Sequence, residues 1–259
     1  MVNFIYFDSL AREVQIMEKN VVTIMDINFY NTTRQSLLEK DLYPRLEHGE
    51  KSFLVTANPE FVMKSREDAE FKAILQSADY VIPDGIGIVK ASNWIKDPLK
   101  ERIPGFELML DLLEYADKEK LSCYFLGAKE AVNEKAVKEV EKKYPDINIV
   151  GRHHGFFDIA DKSIAEKIRK ANPDLIFVAL GMPRQEKWIA RHMPEFDKGL
   201  FMGVGGSFDT LTGEVKRAPQ FWIKLNLEWF YRFLKQPTVR FKRLLKVLEF
   251  AVRMRFKRE

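Results

Sequence analysis

Apolar residues in this chain gather in short runs that end in glycine, proline or small polar residues. Between the runs lie longer stretches in which apolar positions recur every three or four residues. The short runs are VVTIMDINFY from residue 21, FLVTANPEF from 53, ADYVIPDGIGI from 78, LSCYFLG from 121, INIVGRHHGFF from 147, DLIFVALGMP from 174 and GLFMGVGGS from 199. Each has the length and β-branched or aromatic content of one buried strand. Helices are predicted between them: one over residues 32–46 with Thr32 or Thr33 near its cap, one over 59–76, and others over 106–115, 130–143 and 164–171. Strands alternating with helices at this spacing predict an α/β, Rossmann-like fold whose largely parallel sheet is covered by helices on both faces.

After Gly213 the pattern changes. The segment from Val215 to Gln236 reads as helical and is crowded with aromatics, Pro237 interrupts it, and a second helix follows on which Phe241, Leu244, Leu245, Leu248 and Val252 form one stripe. The expected organisation is an α/β catalytic domain over residues 1–215, with 1–20 as an N-terminal extension, and a basic, aromatic helical appendage over 216–259.

Charge sharpens this division. The formal net charge is +4, yet residues 216–259 hold thirteen Lys or Arg against three Glu, a balance of +10, which leaves the preceding 215 residues at −6. A basic terminal segment on an acidic body points to a polyanionic partner, an anionic membrane or a nucleic acid. The single cysteine, Cys123, sits in an apolar run and permits no intrachain disulfide, which suits a reducing compartment. Acidic and basic residues interrupt the N-terminal stretch, and no eighteen-residue apolar run occurs, so neither an export signal nor a spanning helix is expected.

Ligands of open α/β sheets bind at the carboxyl ends of strands. Thr56, Asn58 and Glu60 follow the run at 53–55, and Asp84 follows the run at 80–82, between Pro83 and Gly85. An Asp-Gly turn or a helix cap would also explain Asp84. Arg102, just ahead of Pro104-Gly105, is either a solvated side chain or a phosphate holder at a crevice mouth. With Arg184 and Gln185 after Gly181-Met182-Pro183, these residues describe a pocket for a phosphorylated or nucleotide-bearing ligand. No complete GxGxxG or GxxxxGK[ST] occurs, which disfavours a nicotinamide cofactor or a P-loop nucleotide. His153 and His154 are adjacent on a strand and face opposite ways, so they are a poor metal pair. Ser207 does not lie in a GxSxG elbow. No acidic pair of DxD type stands ready to hold a metal against a diphosphate, so backbone amides and basic or hydroxyl side chains must meet any leaving-group charge.

TANPEFV at 56–62, IPDGIGIV at 82–89, ERIPGFEL at 101–108, ALGMPRQEKWI at 179–189, GVGGSFDTLTGEVKRAP at 203–219 and LEWFYRF at 227–233 resemble the WecG/TagA/CpsF glycosyltransferase family, from about residue 24 to the end of the chain. The resemblance implies an inverting enzyme that moves N-acetyl-β-D-mannosamine from a UDP donor to undecaprenyl-diphosphate-linked N-acetylglucosamine, as in wall teichoic acid linkage-unit synthesis. It implies Asp84 as catalytic base, and Thr56, Asn58, Arg102, Gln185 and the appendage residues Arg232, Arg240 and Arg243 as substrate-binding groups. No metal and no cofactor are implied. Several members have Thr-Pro-Asn where this chain has Thr56-Ala57-Asn58, a departure that keeps both polar residues. The implied setting is the inner face of the bacterial plasma membrane, with anionic lipid as a partner of the appendage. Packing on the body, or a homo-oligomer interface, is the other cover available to its apolar stripe. Another UDP-hexose or a UDP-uronic acid donor, for capsular or exopolysaccharide synthesis, would leave the same motifs in place. Nucleic-acid binding is the alternative outside the family, and the strand-end motifs argue against it.

Overall fold

In the computed structural model, residues 20–216, 218–219, 221–222, 225, 227–235 and 237–256 are described, apart from the side chains of residues 232, 239, 240 and 242. The expected N-terminal extension, apart from Asn20, lies outside the described residues.

The apolar runs fold as strands β3 (Lys51–Ala57), β4 (Tyr80–Pro83), β5 (Ser122–Gly127), β6 (Asn148–His153), β7 (Leu175–Ala179) and β8 (Gly199–Gly203), joined in one sheet in the order β4-β3-β8-β7-β5-β6. Every pairing in it is parallel. That geometry explains the continuous apolar runs, because helices cover both faces and every strand except the edge strand β6 buries consecutive residues. Leu54, Ile82, Phe125, Phe177 and Met202 turn into one core layer, while Phe53, Val55, Tyr124, Val178 and Phe201 turn into the other.

The first layer is closed by α1, α5 (Gly105–Lys118) and α6 (Glu130–Lys143). Helix α1 runs from Arg34–Ser36 through a π-helical stretch, Leu37–Leu42, into Tyr43–Glu47. Its cap is Thr33, whose side chain accepts the Ser36 N–H at 3.2 Å. The π widening falls just ahead of Pro44, whose ring would collide with the i−4 carbonyl of an ordinary α turn. The second layer holds α2 (Pro59–Glu67), α3 (Ala69–Ser77), α4 (Ile86–Trp94), α7 (Lys162–Ala171) and α8 (Arg184–His192). A short α9 (Ser207–Leu211) follows β8.

Two expectations need correction. The early run is a hairpin rather than one strand: β1 (Val21–Ile24) pairs antiparallel with β2 (Ile27–Tyr30), and Met25 and Asp26 turn the chain at φ 46° and 63°. Val22, Ile24, Ile27 and Phe29 are all buried, while Lys72 and Gln76 of α3 hold Asp26 through its carboxylate and its carbonyl. The helix expected over 59–76 is two helices, because Asp68 leaves helical geometry and caps α3 by accepting the Phe71 N–H at 3.0 Å.

The appendage forms α10 (Glu228–Lys235) and α11 (Pro237–Phe256), with Pro237 opening the second helix as proline does. Phe250 and Met254 of α11 are buried in the second core layer. Arg243 and Lys246 of the same helix reach Glu60 and Glu67 at the two ends of α2. The predicted stripe faces away: Phe241, Leu245, Leu248 and Val252 are exposed, joined by Phe256, and only Leu244 is half-buried.

Phe250→Ala is therefore expected to lower the unfolding free energy by about 3–5 kcal/mol, whereas Phe241→Ser is expected to stay within about 0.5 kcal/mol of wild type, both measured by urea denaturation.

Candidate active site

At the carboxyl ends of β3 and β4 the chain brings together the residues its motifs predicted. Thr56 pairs with Ile82 and Ala57 with Pro83, and the Asp84 N–H continues the ladder by donating to the Ala57 carbonyl at 3.0 Å. Asn58 caps α2, its side-chain oxygen accepting the Glu60 N–H at 2.8 Å. The Asp84 carboxylate accepts the N–H of Gly105, the first residue of α5, at 3.2 Å. A helix N-terminus carries positive partial charge, so this position suits an anion.

The closeness of α5 to β3 is set by glycine. A Cβ on Gly105 would lie 2.9 Å from the Thr56 hydroxyl oxygen and 3.1 Å from its Cβ, inside van der Waals contact. Thr56, Asp84 and the first turn of α5 thus share one point. A similar approach joins α4 to α2, where a Cβ on Gly87 would meet the Pro59 ring at 2.8 Å.

Arg102 stands on the loop between α4 and α5. The Ile103 N–H donates to the Pro83 carbonyl at 2.8 Å, which ties this loop to the end of β4. Arg102 has no hydrogen-bond or ion-pair partner among the described residues, and it lines a cleft of about 490 Å³ with Thr33, Arg34, Gln35, Glu101 and Pro104. Arg34 pairs with Asp111 of α5 at 3.0 Å, and its N–H donates to Glu101. Sequence reading missed Arg34, Gln35 and Glu101 as cleft residues. Glu101 lay inside a recognised motif, but nothing in the sequence told that the start of α1 would come alongside it.

Gln185 lies deeper than a substrate contact would suggest. It is buried, and its amide oxygen accepts two backbone N–H groups, from Gly181 at 3.1 Å and Gly205 at 3.0 Å. Its amide nitrogen donates to Glu186 at 2.7 Å. Burial pushes the Glu186 carboxyl up to about 7. Arg184 donates to the carbonyls of Gly155 and Phe157 and so fixes the loop beyond β6 to the start of α8. At the end of β6, His153 and His154 are engaged locally: the His154 carbonyl lies 2.8 Å from Nδ1 of His153, and the Phe156 N–H donates to Nδ1 of His154. Among the described residues no group of three His, Cys, Asp or Glu side chains is arranged to hold a metal ion.

Of the predicted appendage residues, Arg243 sits 3.7 Å from Glu60, two residues beyond Asn58. Arg232 and Arg240 lie on α10 and α11, and their side chains are outside the described residues.

Residues 22–259 match the model of the glycosyl transferase WecG/TagA/CpsF family. The chain is 40% identical over 206 residues to the N-acetylglucosaminyldiphosphoundecaprenol N-acetyl-beta-D-mannosaminyltransferase of Bacillus spizizenii, covering 80% of this chain and 79% of that protein. It is 39% identical over 215 residues to the protein of the same name from Staphylococcus aureus, covering 82% and 84%. The hairpin from Val22, the parallel sheet with its strand-end site and the appendage fall inside the matched region, and the chain belongs to the WecG/TagA/CpsF family of glycosyltransferases.

Proposed function

We propose that this protein transfers N-acetyl-β-D-mannosamine from UDP-N-acetylmannosamine to undecaprenyl-diphosphate-linked N-acetylglucosamine, in one inverting displacement. The observation that carries the reading is the meeting of Thr56, Asn58, Asp84 and Gly105 at the ends of β3 and β4, beside a cleft holding an arginine unpaired among the described residues. The curated relatives, named for this transfer, supply the donor sugar and the acceptor.

Asp84 takes the proton of the acceptor hydroxyl as its oxygen attacks the anomeric carbon. The bond from that carbon to the UDP oxygen breaks on the opposite side, and UDP leaves with its added negative charge. Held by the first turn of α5, the Asp84 carboxylate presents a fixed acceptor to the incoming hydroxyl. Arg102 faces the cleft and meets the diphosphate. Arg34, already paired with Asp111, adds a second cation to the same cleft. Thr56 and Asn58 line the strand ends where the donor sugar is placed.

The lipid acceptor requires the enzyme at a bilayer surface. No helix of the described residues is long and apolar enough to cross a membrane. Phe241, Leu245, Leu248, Val252 and Phe256 form an outward apolar stripe on a basic segment, and this combination suits interfacial binding to anionic lipid at the cytoplasmic face. Each basic residue near such a surface contributes about 1 kcal/mol. Because Phe250 and Met254 belong to the core, substitutions on the stripe isolate this role better than truncation does.

Asp84→Asn is expected to reduce turnover by about 100-fold or more with a short-chain lipid acceptor, and near wild-type turnover would remove the assignment of the base. Arg102→Ala is expected to raise the KM for the UDP-sugar and lower kcat/KM, since it strips charge from the diphosphate site. A panel of UDP-sugars in the same assay fixes the donor. A Phe241→Ser/Leu245→Ser/Leu248→Ser variant should melt like wild type yet fail to float with vesicles containing anionic lipid; equal flotation would refute the membrane role.

A further inference from the structure

Glu186 is a buried carboxyl that the proposed mechanism leaves without a part. It is 1% exposed in the first turn of α8, one of its oxygens accepts from Gln185, and the other has no hydrogen-bond partner among the described residues. A buried, half-satisfied carboxyl is costly, and apolar residues of similar volume would fill the space more cheaply. What it does is legible from its partner. The two N–H groups of Gly181 and Gly205 converge on one end of the Gln185 side chain, and only the amide oxygen can accept them. The amide NH2 must then face the other way, where Glu186 stands at 2.7 Å.

Gly181 belongs to the turn leaving β7 and Gly205 to the turn leaving β8, so this single amide joins two adjacent strand exits. The backbone makes room for it: a Cβ on Gly203 would lie 2.5 Å from the Gln185 nitrogen and 3.1 Å from the Glu186 oxygen. Gly181 and Gly205 both have φ in the left-handed region, at 74° and 51°. Their conformations are thus held at the N–H as well as permitted by the missing side chain.

We propose that Glu186 is a positioning residue: by accepting from Gln185 it fixes the amide orientation that clamps the turns after β7 and β8 together, and so sets the floor of the substrate crevice. This rests on the reading that the strand ends bind the donor and acceptor. The clamp does not depend on ionisation, because a proton on the partnerless oxygen leaves the other oxygen an acceptor.

The test compares E186L and E186Q in the full-length protein. Leucine removes the acceptor and the unsatisfied oxygen together. Glutamine keeps an acceptor oxygen and buries an NH2 where the partnerless oxygen stood. A purely structural role predicts that activity follows the melting temperature, with E186Q the poorer of the two. The positioning role predicts the reverse. E186L should melt close to wild type, but hydrogen exchange of the peptides covering residues 180–183 and 203–207 should accelerate, and kcat/KM should fall by about 10- to 100-fold. E186Q should restore both exchange protection and most of the activity. Unchanged exchange in E186L, or activity that tracks melting across the two variants, overturns the proposal. Should the wild-type protein transfer no sugar, the reading of the site fails while the exchange comparison still decides the clamp.

Discussion

The contact on which this site depends is the approach of α5 to β3 at Gly105, where the backbone comes so near Thr56 that no side chain fits between them. From that contact the remaining geometry follows. It brings a helix N-terminus to the carboxylate of Asp84, at the end of the neighbouring strand, and fixes the loop that carries Arg102. The proposed role of Asp84 as base would gain from its carboxylate being held on rigid elements rather than on a free loop. Here the rigidity comes from two parallel strands and one helix meeting at one residue. Even a methyl group at position 105 would separate these elements, so the requirement for glycine is as much a feature of the site as Asp84 itself.

The second constraint is the burial of both faces of the sheet. Each strand distributes successive side chains to two core layers, and the second layer is incomplete without the appendage, since Phe250 and Met254 come from α11. The appendage is therefore part of the fold on one side and presents an apolar stripe on the other. A helix with buried anchors on one face and exposed leucines and phenylalanines on the opposite one departs from ordinary amphipathic design, in which the outer face is polar. Exposed apolar patches on this scale mark surfaces with work to do.

Much of this was readable in the chain. Buried parallel strands announce themselves as unbroken apolar runs, and the residues just after them fall at strand ends by topology alone. Hence the strand runs place Thr56, Asn58 and Asp84 together at the ends of β3 and β4, where they lie. What failed to show were features that depend on partners distant in sequence. Met25-Asp26 carries no glycine, so the hairpin turn was hidden within one apolar run, and its left-handed residues are supported by Lys72 and Gln76 from another element. The break at Asp68 is a single cap inside a continuous helical pattern. Gln185 was expected among the substrate-binding groups, and only the convergence of the Gly181 and Gly205 N–H groups on its amide oxygen shows that it is a buried tie between loops. The stripe on α11 was legible as a period, but periodicity does not tell which face is covered, and the covering came from Phe250 and Met254, outside the stripe.

The way α11 is held bears on how it can serve the site. Its far end is fixed by burial of Phe250 and Met254, and a fully buried Phe is worth roughly 1.5–3 kcal/mol. Its near end, where Arg243 reaches Glu60 at 3.7 Å, is held by an ion pair whose arginine is largely exposed. Exposed pairs of this kind contribute about 0–1 kcal/mol and weaken with salt. Attachment therefore strengthens with distance from the active site. Glu60 lies two residues from Asn58, so the arginine that neutralises it stands at the edge of the strand-end site without being committed there by much energy. α11 is thus anchored in the core at Phe250 and Met254 and held beside α2 at Arg243 only by a weak, largely exposed pair.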